Sequence, residues 1–392
     1  MQPSVSSYVV VAAVAAAVTW ACVPLTKRLA HRVGAVAAPD ARRVHLRPTP
    51  TLGGAAMLAG FLAAVVTARL LGGFDTIFAE GRQVLGVAVA AVVMYAVGFV
   101  DDVFEVSAPA KLAGTVLAGS VLTLTGVSIV FFRVPFWSLV VLTSDLAVLV
   151  TVLWVIGMSH AVNLIDGLDG LAAGIVGIAA VAFFVYTAQL AGNDLLRADN
   201  VGPLVAAGVA GVCAGFLPHN FHPARTFMGD GGALLLGLLM AAATISVGGQ
   251  SRAQFSGQTY FFFAPLVIPL VILGVPVFDT LFAIVRRART RAGVSTADKR
   301  HLHHRLMALG HGQRRSVLIL WAWTALLSGV ALYPVITGKG DGLVLFAILA
   351  LALLLFTYFH PGVRAQRRVG NGVPAPVGAE EVTAGPRSGR HV

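Results

Sequence analysis

Long apolar runs separated by short polar connections fill almost the whole chain. Eleven of them, at roughly 6–26, 52–72, 84–100, 109–126, 143–159, 169–190, 201–217, 230–248, 259–285, 317–337 and 342–360, approach the length of about 20 residues that a helix needs to cross a hydrocarbon core. They lack the polar–apolar alternation that a closed β-barrel, the only other spanning architecture, requires. The pattern predicts an all-α polytopic membrane protein with about eleven transmembrane helices. Gly and Ala recur inside the runs, where small side chains let helix backbones approach in lipid. No basic residue precedes the first run, and the first Lys or Arg is Lys27, so this run reads as a retained helix and not a cleaved signal. Residues 1–362 read as one transmembrane domain. Residues 363–392 turn to Gly, Pro, Arg and Glu, too poor in large apolar side chains to offset the entropy of ordering, and read as a disordered tail.

The chain is 57% hydrophobic and 11% charged, with a mean hydropathy of +0.84, outside the range of ordinary soluble domains. Cys22 and Cys213 both fall in apolar runs, which leaves no disulfide framework and no metal-binding cysteine spacing. A net charge of +11 comes with no nucleic-acid motif. The cations sit in membrane-flanking loops, where anionic headgroups and phosphorylated substrates are the expected partners and nucleic acid is not. Lys27, Arg28, Arg32, Arg42, Arg43 and Arg47 follow the first run, and a second basic block extends from Arg286 to Arg315. By the positive-inside rule both are cytoplasmic. An odd number of runs then puts the N-terminus outside and the C-terminus inside, in agreement with Arg364, Arg367 and Arg368.

Every odd connection is cytoplasmic in this scheme, and the unusual polar residues all fall there. GFVDDVFE (98–105) closes an apolar run with Asp101 and Asp102, and Lys111, one of four lysines in the chain, follows nine residues later. Carboxylates at a membrane boundary are costly unless paired with cations. A solvated helix end accounts for one such residue; the adjacent pair favours phosphate chemistry, where Mg²⁺ is held by one or two carboxylates together with substrate oxygens. NLIDGLDG (163–170) spaces Asn163, Asp166 and Asp169 three apart, either on neighbouring helical faces or in a Gly-containing turn that lets amides approach a ligand. A polar turn with Asp169 as helix cap explains one of the three.

FMGDGG (227–232) sets Asp230 immediately before an apolar run, where capping and metal binding are both open, with glycines leaving room beside it. Asn220, His222 and Arg225 precede it as candidate phosphate donors. HLHHRL (301–306) offers three histidines among basic neighbours without the Cys or acidic ligands that would close a zinc site, so phosphate binding is favoured over a solvated basic surface. Asp279, inside the apolar run PVFDTLF, either lines a site or pairs internally. No internal repeat of the transporter kind is present.

In this order the strings RRVHLRPTPTLGG (42–54), GFVDDVFE, NLIDGLDGLAAG (163–174), FMGDGGALLLG (227–237) and DKRHLHHRL (298–306) resemble the polyprenyl-phosphate N-acetylhexosamine-1-phosphate transferase family over roughly residues 40–315. The likeness is closest to the bacterial branch that uses UDP-N-acetylglucosamine, in particular the actinobacterial decaprenyl-phosphate enzymes of arabinogalactan linkage-unit synthesis. The branch using UDP-MurNAc-pentapeptide carries consecutive histidines where this chain has His301-Leu-His303-His304.

The resemblance implies that N-acetylglucosamine 1-phosphate passes from UDP-N-acetylglucosamine to a polyprenyl phosphate with release of UMP, at the cytoplasmic face of the plasma membrane, with Mg²⁺ or Mn²⁺ as cofactor; it admits a homodimer. Asp101 is implied as the base on the lipid phosphate or as a metal-site carboxylate, with Asp102 assisting and Asp166 in the catalytic set. Asn163 and Asp230 are implied to hold the metal, and Asp169 and Gly170 to contact uracil, with Phe227 stacked on it. Lys111, Arg225, His301, His303, His304 and Arg305 are implied to bind phosphate or sugar. The first motif reads Thr-Pro-Thr, where the branch often has Arg as third residue, which leaves its cationic part to Arg42, Arg43 or Arg47. Two rivals remain from the residues alone: a membrane prenyltransferase, which releases pyrophosphate, and a transporter, which places its polar residues near the bilayer midplane.

Overall fold

The computed structural model describes residues 3–37, 48–79, 81–133, 139–248, 273–290, 302–339 and 341–359. Its elements are helices α1 (Val5–Val33), α2 (Gly53–Leu70), α3 (Asp75–Phe78), α4 (Arg82–Phe104), α5 (Ala108–Leu124), α6 (Ser144–Ile165), α7 (Leu171–Gly192), α8 (Gly202–Asn220), α9 (Gly229–Gly248), α10 (Gly274–Thr290), α11 (Leu302–Ala308), α12 (Gly312–Thr337) and α13 (Leu343–Phe359). Two antiparallel pairs of short strands join them. In the first, β1 (Val36–Ala37) pairs with β2 (Thr49–Pro50), Val36 opposite Pro50; in the second, β3 (Phe131–Arg133) pairs with β4 (Leu139–Val141), Phe131 opposite Val141.

Among the described residues nine helices are long and apolar enough to cross a membrane: α1, α2, α4, α6, α7, α8, α9, α12 and α13. The architecture is that of an all-α polytopic membrane protein. α5 is apolar but, at 17 residues, is not among these. The expected span 259–285 lies outside the described residues except for its end in α10, as do Arg47, His301 and the tail 363–392.

Several helices outrun their apolar stretches. α1 continues past residue 26 through Lys27, Arg28 and Arg32 until Gly34 ends it in the left-handed conformation (φ 76°). Lys and Arg are good helix formers whose long stems reach water while the backbone keeps its hydrogen bonds. Asp101 and Asp102 likewise fall inside the last turn of α4, and Asn163 inside α6, where a hydropathy window ends earlier.

α9 occupies the centre, enclosed along its whole apolar length, with α2, α4, α6, α7 and α8 as neighbours. Its run GGALLLGLLMAAATISVG is apolar on every side, the pattern of a helix that meets only other helices. α6 ties to it through the Trp154 indole, which donates to Thr244 Oγ1 at 2.9 Å. α13 lies at the other extreme, its Val344, Leu345, Ile348 and Leu351 exposed as suits a lipid-facing surface.

α1 packs on α8 through Gly211 and Gly215, a small-xxx-small stripe. A Cβ on either would collide with the backbone of α1, at Ala12 and Ala16. Gly215→Val should therefore force the two helices apart, at a cost of about 1–3 kcal/mol. Thermal unfolding in detergent should show it melting several degrees below wild type. The control Gly157→Ala, where a Cβ meets nothing within 4 Å, should match wild type or exceed it.

Candidate active site

Three motifs meet at one end of α9. The first amides of any helix lack intrahelical partners, and those of Asp230 and Gly231 donate to Asp102 Oδ1 and Oδ2 at 2.9 and 3.1 Å. A carboxylate on α4 thus caps a different helix, where its charge also opposes the positive end of the α9 dipole. The backbones run against each other here. A Cβ on Gly98 would strike Gly231, and one on Gly229 (φ 69°) would strike the Thr51 carbonyl and the Asp102 carboxylate. In the same way the first amides of α2, Gly53 and Gly54, donate to the carbonyls of Phe227 and Met228 at 2.9 Å each, and the Phe227 amide donates to Pro50 at 2.8 Å. The chain segments 50–54, 98–102 and 227–231 are in this way laced together by main-chain groups.

On this frame the charged side chains converge. Lys111 reaches from α5 to Asp101 Oδ2 at 2.5 Å and also bonds Asp230 Oδ2. Asp101 and the Asn163 side chain both lie close enough to Asp230 to act on its carboxylate. Asp102, Asp101 and Asp230 line an open cleft of about 740 Å³ together with Gly34, Ala37 and Thr51. Asp166 stands just past the end of α6. Burial, followed by the like charges of Asp230, Asp102 and Asp169, pushes its carboxyl up to about 8.

Asp169 plays a different part. Its side chain is fully buried, and Oδ2 accepts from the Ala224 amide at 3.0 Å and lies 2.7 Å from His222 Nδ1. Asn220 completes the brace by accepting from the Gly170 amide and donating to the Thr226 carbonyl, both at 3.0 Å. Arg314 of α12 donates to the His222 carbonyl at 3.2 Å. The turn 166–170 and the segment 220–226 are therefore one rigid unit, with Phe227 half-buried and Arg225 exposed at its end. Asp279 pairs internally, its Oδ1 accepting from the Leu302 amide at 2.9 Å at the start of α11, the helix that carries His303, His304 and Arg305.

Sequence reading brought Asp101, Asp102, Lys111, Asn163, Asp166 and Asp230 forward, and the fold gathers them at one end of the bundle. It ranked His222 and Asn220 below these and passed over Arg314. Their signal was only a polar cluster before FMGDGG, because the partners lie about 50 and 90 positions away in the chain.

Among the described residues no three His, Cys, Asp or Glu groups are drawn together as a ready ligand set. The donor chemistry nonetheless suits a hard divalent cation. Asp101, Asp230 and Asn163 offer oxygens only, and the Lys111 ammonium already sits where Asp101 and Asp230 demand positive charge.

Fold and site together define a polytopic helical membrane protein with an acidic centre, built around one lysine, at one end of its bundle. The profile of glycosyl transferase family 4 matches residues 84–248. The chain is 37% identical over 321 residues to a decaprenyl-phosphate N-acetylglucosaminephosphotransferase of Mycobacterium tuberculosis, covering 80% of this chain and 79% of the relative. It is 37% identical over 300 residues to a probable undecaprenyl-phosphate N-acetylglucosaminyl 1-phosphate transferase of Bacillus subtilis, covering 76% of each. A phospho-N-acetylmuramoyl-pentapeptide-transferase of Desulforudis audaxviator is 37% identical over 337 residues, covering 80% of this chain and 93% of the relative. The chain belongs to glycosyl transferase family 4.

The raised Asp166 carboxyl makes stability depend on pH. In the folded chain it keeps its proton up to about pH 8, whereas in the unfolded chain it loses it near about pH 4. The native state binds more protons across that window, so this contribution is full below about pH 4 and is lost as pH rises to about 8. Melting temperatures in metal-free detergent should fall more steeply from acid to neutral pH in wild type than in Asp166→Asn.

Proposed function

We propose that this protein transfers N-acetylglucosamine 1-phosphate from UDP-N-acetylglucosamine to a polyprenyl phosphate, giving polyprenyl diphospho-N-acetylglucosamine and UMP. The observation that carries the reading is the convergence of Asp101, Lys111, Asn163 and Asp230 beside the Asp102-capped end of α9. Chain-wide similarity to relatives named for this transfer supports it. A lipid-phosphate oxygen attacks the β-phosphorus of the nucleotide sugar, the bond to the bridging oxygen breaks, and the electron pair leaves with UMP.

Both reactants are anions, and the chain must lower their repulsion. Lys111 supplies one positive charge to the incoming phosphates. Asp101, freed from Lys111 by that exchange, takes the remaining proton of the lipid phosphate. Mg²⁺, held by Asp101, Asp230 and Asn163, would supply further neutralisation of the diphosphate. The braced segment 220–227 offers Phe227 to the uracil ring, and α11 offers His303, His304 and Arg305 to the diphosphate or sugar.

In this reading the same end of the bundle faces the cytoplasm at the plasma membrane, which the basic residues of the flanking loops support through the positive-inside rule. The acceptor in this reading is decaprenyl phosphate, and the product enters a cell-wall glycan such as the arabinogalactan linkage unit.

Purified protein given decaprenyl phosphate, UDP-N-acetylglucosamine and Mg²⁺ should release UMP only when lipid and metal are both present. Asp101→Asn should lower the rate by about 10²-fold or more. Absence of UMP with every UDP-N-acetylated sugar, from folded protein, would reject the reading, as would release of pyrophosphate in its place.

A further inference from the structure

A second polar feature lies on the same end of the bundle and shares no lining residue with the acidic cleft. It begins with Pro24, inside α1. Proline has no amide hydrogen, so the carbonyl of Trp20, four residues earlier, loses its helical donor. His219 of α8 takes that place, its Nε2–H donating to the Trp20 carbonyl at 3.2 Å, with the imidazole 6.1 Å from the indole. This notch opens into a cleft of about 390 Å³ lined by Pro24, Lys27, Arg28, His31, His219 and Arg225.

Among the described residues, three permanent cations and two imidazoles line this cleft and no carboxylate does. Among the described residues no carboxylate forms an ion pair with Lys27, Arg28 or Arg225. Their charge is therefore offered to an occupant, and concave walls concentrate it. The stripe on α1 adds the second half of the specification. Trp20, Pro24, Arg28 and His31 follow at helical spacing on one face, changing from apolar to basic as the helix leaves its apolar stretch. Trp20, one turn before Pro24 on this face of α1, is 56% exposed. A ligand that satisfies both halves has an anionic head and an apolar tail.

The geometry points to this cleft as a binding site for the phosphate headgroup of an anionic phospholipid, with an acyl chain lying along Trp20. Basic pockets between transmembrane helices at a membrane face recognise such headgroups. Arg225 is one residue beyond Ala224, whose amide, like the His222 ring, is held by Asp169. A lipid that fixes Arg225 therefore also steadies the braced segment 220–226.

The test uses the full chain in detergent, titrated with phosphatidylglycerol or with phosphatidylcholine of the same acyl chains and read by native mass spectrometry. Wild type should take up phosphatidylglycerol in clear preference. A Lys27→Gln/Arg28→Gln double variant should bind it about tenfold more weakly, and Lys27→Arg should bind as wild type. Equal uptake of the two lipids, or unchanged uptake by the double variant, would overturn the proposal. Displacement of the lipid by millimolar inorganic phosphate or UMP would also overturn it, since the cleft would then be a site for free anions. If the double variant melts early, amide exchange on wild type decides: slower exchange over residues 219–226 with phosphatidylglycerol than with phosphatidylcholine supports the site, and identical exchange rejects it. Turnover enters neither readout, so the outcome stands apart from the transferase assay.

Discussion

Every helix that ends at a membrane boundary leaves amides or carbonyls that must find partners away from bulk water, and this protein answers that demand by letting helix ends satisfy one another. Asp102 closes the start of α9, and the carbonyls just before α9 close the start of α2. Glycines at 98, 229 and 231 let the main chains come close enough for this to work. The arrangement fixes Asp230, Asp101 and Thr51 relative to one another without depending on flexible loops. These main-chain groups hold the reactive end of the bundle in register by bonding to one another.

Charge is handled in the opposite manner and is left out of balance. Among the described residues, Asp101, Asp102 and Asp230 gather beside one ammonium, that of Lys111, which pairs with Asp101 and Asp230. Such an excess is expensive next to lipid, and a cation-bearing phosphorylated substrate relieves it. Only a short distance away the Lys27–Arg28–Arg225 cleft shows the reverse excess. One end of the bundle thus carries two clefts of opposite sign, and the basic one includes Arg225 of the segment that Asp169 braces. Affinity for charged ligands is stored in both.

How much of this could be read beforehand follows from the range of the forces involved. Hydropathy is a local property, so the apolar helices and the clustering of chemical motifs at alternate connections were legible from residue order. Helix ends were not, because Lys27 to Val33 continue α1 by backbone hydrogen bonds after apolarity has stopped. The short strand pairs at 36–50 and 131–141 were missed for a related reason: two or three residues carry no periodicity. Least legible were the braces. Asp169 looks like a ligand residue in the sequence and is found buried against His222 and Ala224, a pairing decided by how α7 and α8 pack. The Pro24–Trp20–His219 tie likewise joins positions about 200 residues apart.

The enclosure of α9 has a consequence for how the protein is made. Among the described residues, the helices packed most closely on it, α2, α4, α6, α7 and α8, all precede it in the chain. Synthesis runs from the N-terminus, so the walls leave the ribosome before the helix they surround, and the residue that completes the acidic cluster, Asp230, arrives after Asp101, Asp102, Lys111 and Asn163. Vectorial assembly therefore delivers the central helix to a cavity already lined for it, and spares a segment with a carboxylate at its head from a lasting encounter with lipid.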